Sequence, residues 1–264
     1  MNLFFKELKE YGLTFAYWSI GILVMVGGGL GKYAGFNAGS MDMSTLLSSL
    51  PKIFLAIFGA ANVPLDTIEG FYGIIYIYVL IMGAVFAVLL GSGILAKEER
   101  DKTAEFLMVK PIQRSSIFLI KFAVAVLYVI LYGFVTYGMS VGLLLKVSPD
   151  NPMSEVLLLM MLAMFIIMLL FLSLSMFLAS VLGQAKQSSS IALMVVLGGY
   201  LLSVFLNLFD QIQFLRILAP FNWFTTSDLI LKNLDIQYVW VSVGLSVSFI
   251  LASLIAYPRR DLRL

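Results

Sequence analysis

Long stretches with almost no charge alternate along this chain with short polar breaks. A bilayer core of roughly 30 Å needs about 20 apolar residues per helix. The runs therefore predict six membrane-spanning helices, at residues 13–31, 71–96, 117–145, 155–183, 189–209 and 237–257. Ahead of them, Leu3, Phe4, Leu8, Tyr11 and Phe15 recur at helical spacing, with Lys6, Glu7, Lys9 and Glu10 mostly on the other face. That pattern predicts an amphipathic helix over residues 1–12, lying in the membrane interface before the first span. Two further segments are too apolar for free loops and too broken to span: Leu46 to Ala61, interrupted by Pro51, and residues 210–236. Both read as outer interfacial or re-entrant helices, before spans 2 and 6. Phe221, Trp223 and Phe224 suit the bilayer–water interface there. The expected fold is an all-α integral membrane protein, a single transmembrane domain over residues 1–264.

Composition agrees with this. Of 264 residues, 61% are apolar and 12% charged, against about 25% charged in a soluble domain. Such a chain cannot make a polar skin. The net charge of +2 gives no footprint for nucleic acid. There is no Cys and no His, which removes the thiolate nucleophile, the usual general base and the commonest metal ligands. The opening MNLFFKELKEYGLTF has neither a charged leader nor a small-residue cleavage site, so no cleaved signal peptide is expected. Six spans put both termini on one side. Twelve Lys and Arg fall on that side (Lys6, Lys9, Lys97, Arg100, Lys102, Lys110, Arg114, Lys121, Lys186, Arg259, Arg260, Arg263) and five on the other (Lys32, Lys52, Lys146, Arg216, Lys232). The positive-inside rule then makes both termini cytoplasmic.

Two motifs imitate catalytic signatures. GGGLGKY, Gly27 to Tyr33, resembles a phosphate loop, but Val26 stands where the first Gly belongs and Tyr33 where Ser or Thr should follow Lys32. Helix packing through Gly27 and Gly31 is the expected role. GMSVG around Ser140 matches a nucleophile elbow, yet it lies inside span 3 of a chain without His; helix packing is again expected. No span carries Asp or Glu near its middle: Glu155 and Asp210 sit at outer ends, and Lys121, one turn inside span 3, can snorkel to the cytoplasm. Nothing here suits an ion-driven carrier. If the protein moves something, another polypeptide supplies the energy.

One polar cluster has content. Lys97 to Lys102 reads KEERDK, and the chain continues TAEFLMVKPIQR to Arg114. Acids in a first turn meet the helix dipole favourably, and Pro111 disfavours helix at Lys110 and beyond. A cytoplasmic helix over 98–109 should therefore join spans 2 and 3. It would set Phe106, Leu107, Met108 and Val109 outside the membrane, as a docking helix does.

This stretch resembles the cytoplasmic signature of ABC-2 type permeases, the membrane subunits of ATP-binding-cassette exporters: E-x-x-x-(G or K)-T-x-E-x-L-L-x-x-P-(I or V)-S-R. Thr103, Glu105, Leu107, Pro111 and Arg114 match it, and Gln113 stands where Ser is common. APFNWF (Ala219 to Phe224) and the ending RRDLRL (Arg259 to Leu264) resemble further family features. The resemblance implies a second permease subunit, the same or a homologous chain, and two ATP-binding-cassette ATPase subunits, with ATP and Mg on the ATPase and no cofactor on this chain. Residues 97–114 would form the coupling-helix region, with Glu98, Glu99, Thr103, Glu105, Phe106, Leu107, Lys110, Pro111 and Arg114 docking the ATPase. It also implies a prokaryotic cell membrane and export. The greasy spans, with Met160, Met161, Met164 and Met168 in the fourth and Tyr76 and Tyr78 in the second, favour a hydrophobic or amphipathic cargo. Peptide is preferred, as in phenol-soluble-modulin exporters. Alternatives are export of drugs, lipids or sodium, a non-transporting immunity or scaffold protein, and an intramembrane hydrolase using Ser140.

Overall fold

A computed structural model describes residues 3–38, 51–59, 63–64, 67–100, 113–149 and 153–259. The described residues form α1 (Leu3–Ala38), α2 (Lys52–Ile57), α3 (Ile68–Arg100), α4 (Arg114–Val147), α5 (Ser154–Leu182), α6 (Ala185–Leu208), α7 (Thr226–Ile230) and α8 (Ile236–Arg259), with 3-10 segments at Asp210–Leu218 and Pro220–Asn222. Six of these are long and apolar enough to cross a membrane. Five of them are longer than the expected spans, and α5 matches its span to within one residue at each end. At 1.5 Å per residue α1 is about 54 Å long, well beyond the hydrocarbon. Hydropathy marks only the depth at which water is absent, while backbone hydrogen bonding carries the longer helices further.

The core sits between α3 and α5, each of which packs against most other helices. Two glycines bring them together. A Cβ on Gly83 would lie 2.9 Å from the Met168 sulfur, and one on Gly91 3.0 Å from the Leu172 carbonyl oxygen. Ser175 uses the closeness to donate to the Val88 carbonyl at 2.6 Å. Met160, Met161, Met164 and Met168 are buried here as packing between helices. By contrast, α1 and α8 leave most of their apolar surface uncovered, with Leu13, Tyr17 and Val24 on one and Trp240 and Leu251 on the other exposed.

Several details differ from the sequence reading. The amphipathic helix expected over 1–12 is no separate element: residues 3–12 are the first turns of α1. The helix expected over 46–61 falls partly outside the described residues. Its described part is the six-residue α2, which packs on α6. The segment before the last span is two 3-10 turns and the five-residue α7. Phe214 is exposed, but the three aromatic residues of the Phe221–Phe224 stretch are enclosed by the bundle. Trp223 and Phe224 are buried, and Phe221 stacks on Phe171 of α5. Trp223 stacks on Tyr238 and donates its indole N–H to the Arg216 carbonyl at 3.0 Å, so the motif plugs the end of the bundle. Close packing of α1 is not at Gly27 and Gly31. It is at Gly29, where a Cβ would lie 2.5 Å from Ile75. Gly138 and Gly142 have nothing within 4 Å of such a Cβ, so they bring no helix close.

Candidate functional site

The beginning of α1, the last turns of α3, the start of α4 and the end of α8 meet at one end of the bundle, called here the terminal end. Three charged side chains are buried there: Glu7, Lys97 and Lys121. Lys97 Nζ donates to Glu7 Oε2 at 2.6 Å and to Glu10 Oε2 at 2.5 Å. Lys121 Nζ lies 3.8 Å from Glu7 Oε1 and donates to the Ile94 carbonyl oxygen. The Tyr11 ring lies 5.7 Å from Lys97 Nζ, and the Tyr128 hydroxyl donates to the Leu8 carbonyl. Two carboxylates thus face two ammonium groups. Burial of any one alone would be strongly unfavourable, and together they are matched.

Lys121 therefore does not snorkel. Glu7 faces it as an ion pair at 3.8 Å, and the Ile94 carbonyl accepts a hydrogen bond from its ammonium. The signal for Glu7 was present. Leu3, Glu7 and Tyr11 fall at i, i+4 and i+8, which sets the carboxylate on the apolar stripe rather than the polar face. A charged residue on the buried stripe of an apolar helix requires a partner.

This cluster stands at the root of the 97–114 segment. Lys97, its first residue, ties α3 to α1. At the other end Arg114 opens α4 and donates from Nη1 to the Pro258 carbonyl of α8 at 3.1 Å. Glu98 and Glu99 lie in the last turn of α3, their side chains outside the described residues. Thr103, Glu105, Phe106, Leu107, Lys110 and Pro111 lie outside the described residues altogether, as does most of the helix expected over 98–109. Of the nine residues singled out for docking, Arg114 alone has described side-chain contacts.

Ser140 is buried in α4. Its hydroxyl donates to the Thr136 carbonyl at 2.7 Å and lies 2.6 Å from the Tyr72 hydroxyl. With its proton on the backbone, Ser140 accepts from Tyr72 and so links α4 to α3. That is a packing role, made by the serine rather than by the glycines on either side.

The opposite, far end holds two cavities that share walls. One of about 490 Å³ is lined by Lys52, Asn207, Gln213, Arg216, Asn222 and Asp228 among others. The second, of about 50 Å³, is lined by Tyr76, Ser203, Phe221, Asn222 and Thr226 among others.

A family model described as ABC-2 family transporter protein matches residues 1–262. No curated protein matches the chain.

Proposed function

Because the chain belongs to the ABC-2 transporter family, a family of ABC transporter membrane subunits, we propose that it exports a hydrophobic or amphipathic cargo, in the first place peptide, using ATP hydrolysed on separate ATPase chains. Two copies of this chain, or this chain and a homologue, would pair over two ATPase subunits carrying ATP and Mg. Both termini and residues 97–114 would face the cytoplasm. The helix there would enter a groove of the ATPase, with Glu98, Glu99, Thr103, Glu105, Phe106, Leu107, Lys110, Pro111 and Arg114 supplying the contacts.

The observation that carries this reading is the anchoring of both roots of that segment. A handle transmits force only if it is fixed to what it moves. Lys97 fixes one root to α1 through Glu7 and Glu10, and Arg114 fixes the other to α8. A push on residues 97–114 would then reach α1, α3, α4 and α8 together, as a rigid-body movement requires. The buried carboxylate does not compete with this role. Held by two ammonium groups at the end of α1, Glu7 is a clamp rather than a proton carrier in mid-membrane.

Charge reversal tests the docking surface. Glu98→Lys with Glu105→Lys should abolish co-purification of the partner ATPase and its cargo-stimulated ATP hydrolysis. The thermal unfolding temperature of the detergent-solubilised permease should not change. Retained association would overturn the reading.

A further inference from the structure

The two far-end cavities share Asn207, Asn222 and Thr225 as walls, so the wide chamber and the narrow one lie side by side. Two hydroxyls lining the inner cavity, on Tyr76 and Thr226, are buried without a hydrogen-bond partner. Buried polar groups are otherwise almost always paired. In the same helix, Tyr72 one turn earlier is paired with Ser140. The position of Thr226 is also specific. A Cβ on Gly73 would lie 2.2 Å from the Thr226 methyl carbon, so glycine there lets α7 close onto α3 one turn from Tyr76.

Two of the three charges on the outer chamber, Arg216 and Asp228, are engaged with each other and with neighbouring groups, while Lys52 stands exposed at its wall. Arg216 donates from Nε to the Asn222 carbonyl at 3.0 Å, lies 3.7 Å from Asp228 and covers the Tyr238 ring at 5.1 Å. Asp228 also accepts from the Thr225 hydroxyl at 2.6 Å. What faces the inner space is neutral: hydroxyls and amides that both give and accept hydrogen bonds, beside the apolar walls of Ile77, Leu80 and Phe221. The outer volume falls within the range of about 300–1,000 Å³ typical of small-ligand pockets.

We propose that this two-chamber cavity binds an uncharged, amide-bearing ligand, the backbone of a short apolar peptide, with Tyr76 and Thr226 as its inner hydrogen-bonding partners. A peptide amide presents one donor and one acceptor, matching groups of mixed character better than a carboxylate or an ammonium does. The choice of peptide rests on the cargo reading above; the site itself rests on the two unpaired hydroxyls and the neutral lining of the inner chamber.

The chain has no Cys, so a single thiol reports on the cavity. Leu55 and Leu208 both line the outer chamber as apolar walls. Leu55→Cys, with Leu208→Cys as a second reporter, would be labelled by a small methanethiosulfonate in the full chain reconstituted in nanodiscs, with no ATPase present. Acetyl-leucyl-leucinamide should protect the thiol. Tyr76→Phe with Thr226→Val in the same background should raise the concentration for half-protection about tenfold, as loss of one or two hydrogen bonds would. Absence of protection at both reporters, unchanged half-protection in the double variant, or equal protection by octanoate would each overturn the proposal. Because the assay contains no ATPase, its failure leaves the coupling reading standing, and failure of the Glu98 and Glu105 test leaves this one standing.

Discussion

The two ends of the bundle bury polar groups in opposite ways. At the terminal end, Glu7, Lys97 and Lys121 are fully enclosed and their charges are matched within a few ångströms, Glu7 Oε1 meeting Lys121 as an ion pair at 3.8 Å without a hydrogen bond. At the far end, Tyr76 and Thr226 are enclosed as deeply with their hydroxyls unmatched. In a low-dielectric interior, a matched cluster fixes the elements that contribute to it. An unmatched group is a standing loss of free energy that a water or a ligand can recover. The first arrangement suits a joint that must not slip, and the second a site that must be filled.

The largest effect should come from breaking the matched end. Lys97→Met would leave Glu7 buried with only the more distant Lys121, and removing one partner of a buried pair costs about 3–5 kcal/mol. Thermal unfolding in detergent should register this loss. Adding Glu7→Gln together with Lys121→Met should recover most of it, because no uncompensated buried charge then remains, whereas Glu7→Gln alone would strand the buried Lys121 ammonium. A small loss in the single variant would mean that water reaches the cluster.

Next in size is the α3–α5 contact that joins the two ends. Gly91→Val would drive a side chain onto the Leu172 carbonyl at a backbone-to-backbone approach. Overpacking of this kind costs about 1–3 kcal/mol, again read by thermal unfolding. The same substitution at Gly138, where nothing lies within 4 Å, should leave stability within error.

The smallest effects carry the sharpest contrast. Tyr72→Phe removes a hydroxyl paired with Ser140 and should cost about 1 kcal/mol. Tyr76→Phe, one turn on, removes an unpaired hydroxyl and should be neutral or stabilising by up to about 1 kcal/mol. The two variants compared in one unfolding series test the difference between the ends directly. Equal losses would mean that Tyr76 is satisfied after all.

The helical framework was legible because six apolar runs leave the backbone no other way to satisfy itself in lipid. The far end was not. Nothing local in the Phe221–Phe224 motif distinguishes aromatic residues at a membrane interface from aromatic residues buried against α5 and α8. Tertiary packing alone decides that, and it also converts the expected helix into 3-10 turns. Gly27 and Gly31 drew attention by spacing, while Gly29 makes the contact, because which side of α1 meets Ile75 depends on its rotation in the bundle. Glu7 was legible in principle from its place between Leu3 and Tyr11. Its partners were not, since Lys97 and Lys121 lie 90 and 114 positions along the chain. The docking set, from Glu98 to Arg114, rests on the family signature, and of its members the structure describes the side-chain contacts of Arg114 alone.

A bundle driven through residues 97–114 by a separate ATPase must bring that segment against the ATPase. Phe106→Cys would be the only thiol in the chain. A short bifunctional reagent on membranes containing the complete transporter should link it to the partner ATPase, with a yield that changes when a non-hydrolysable ATP analogue is added. Links confined to the permease chain itself, with and without nucleotide, would contradict the account.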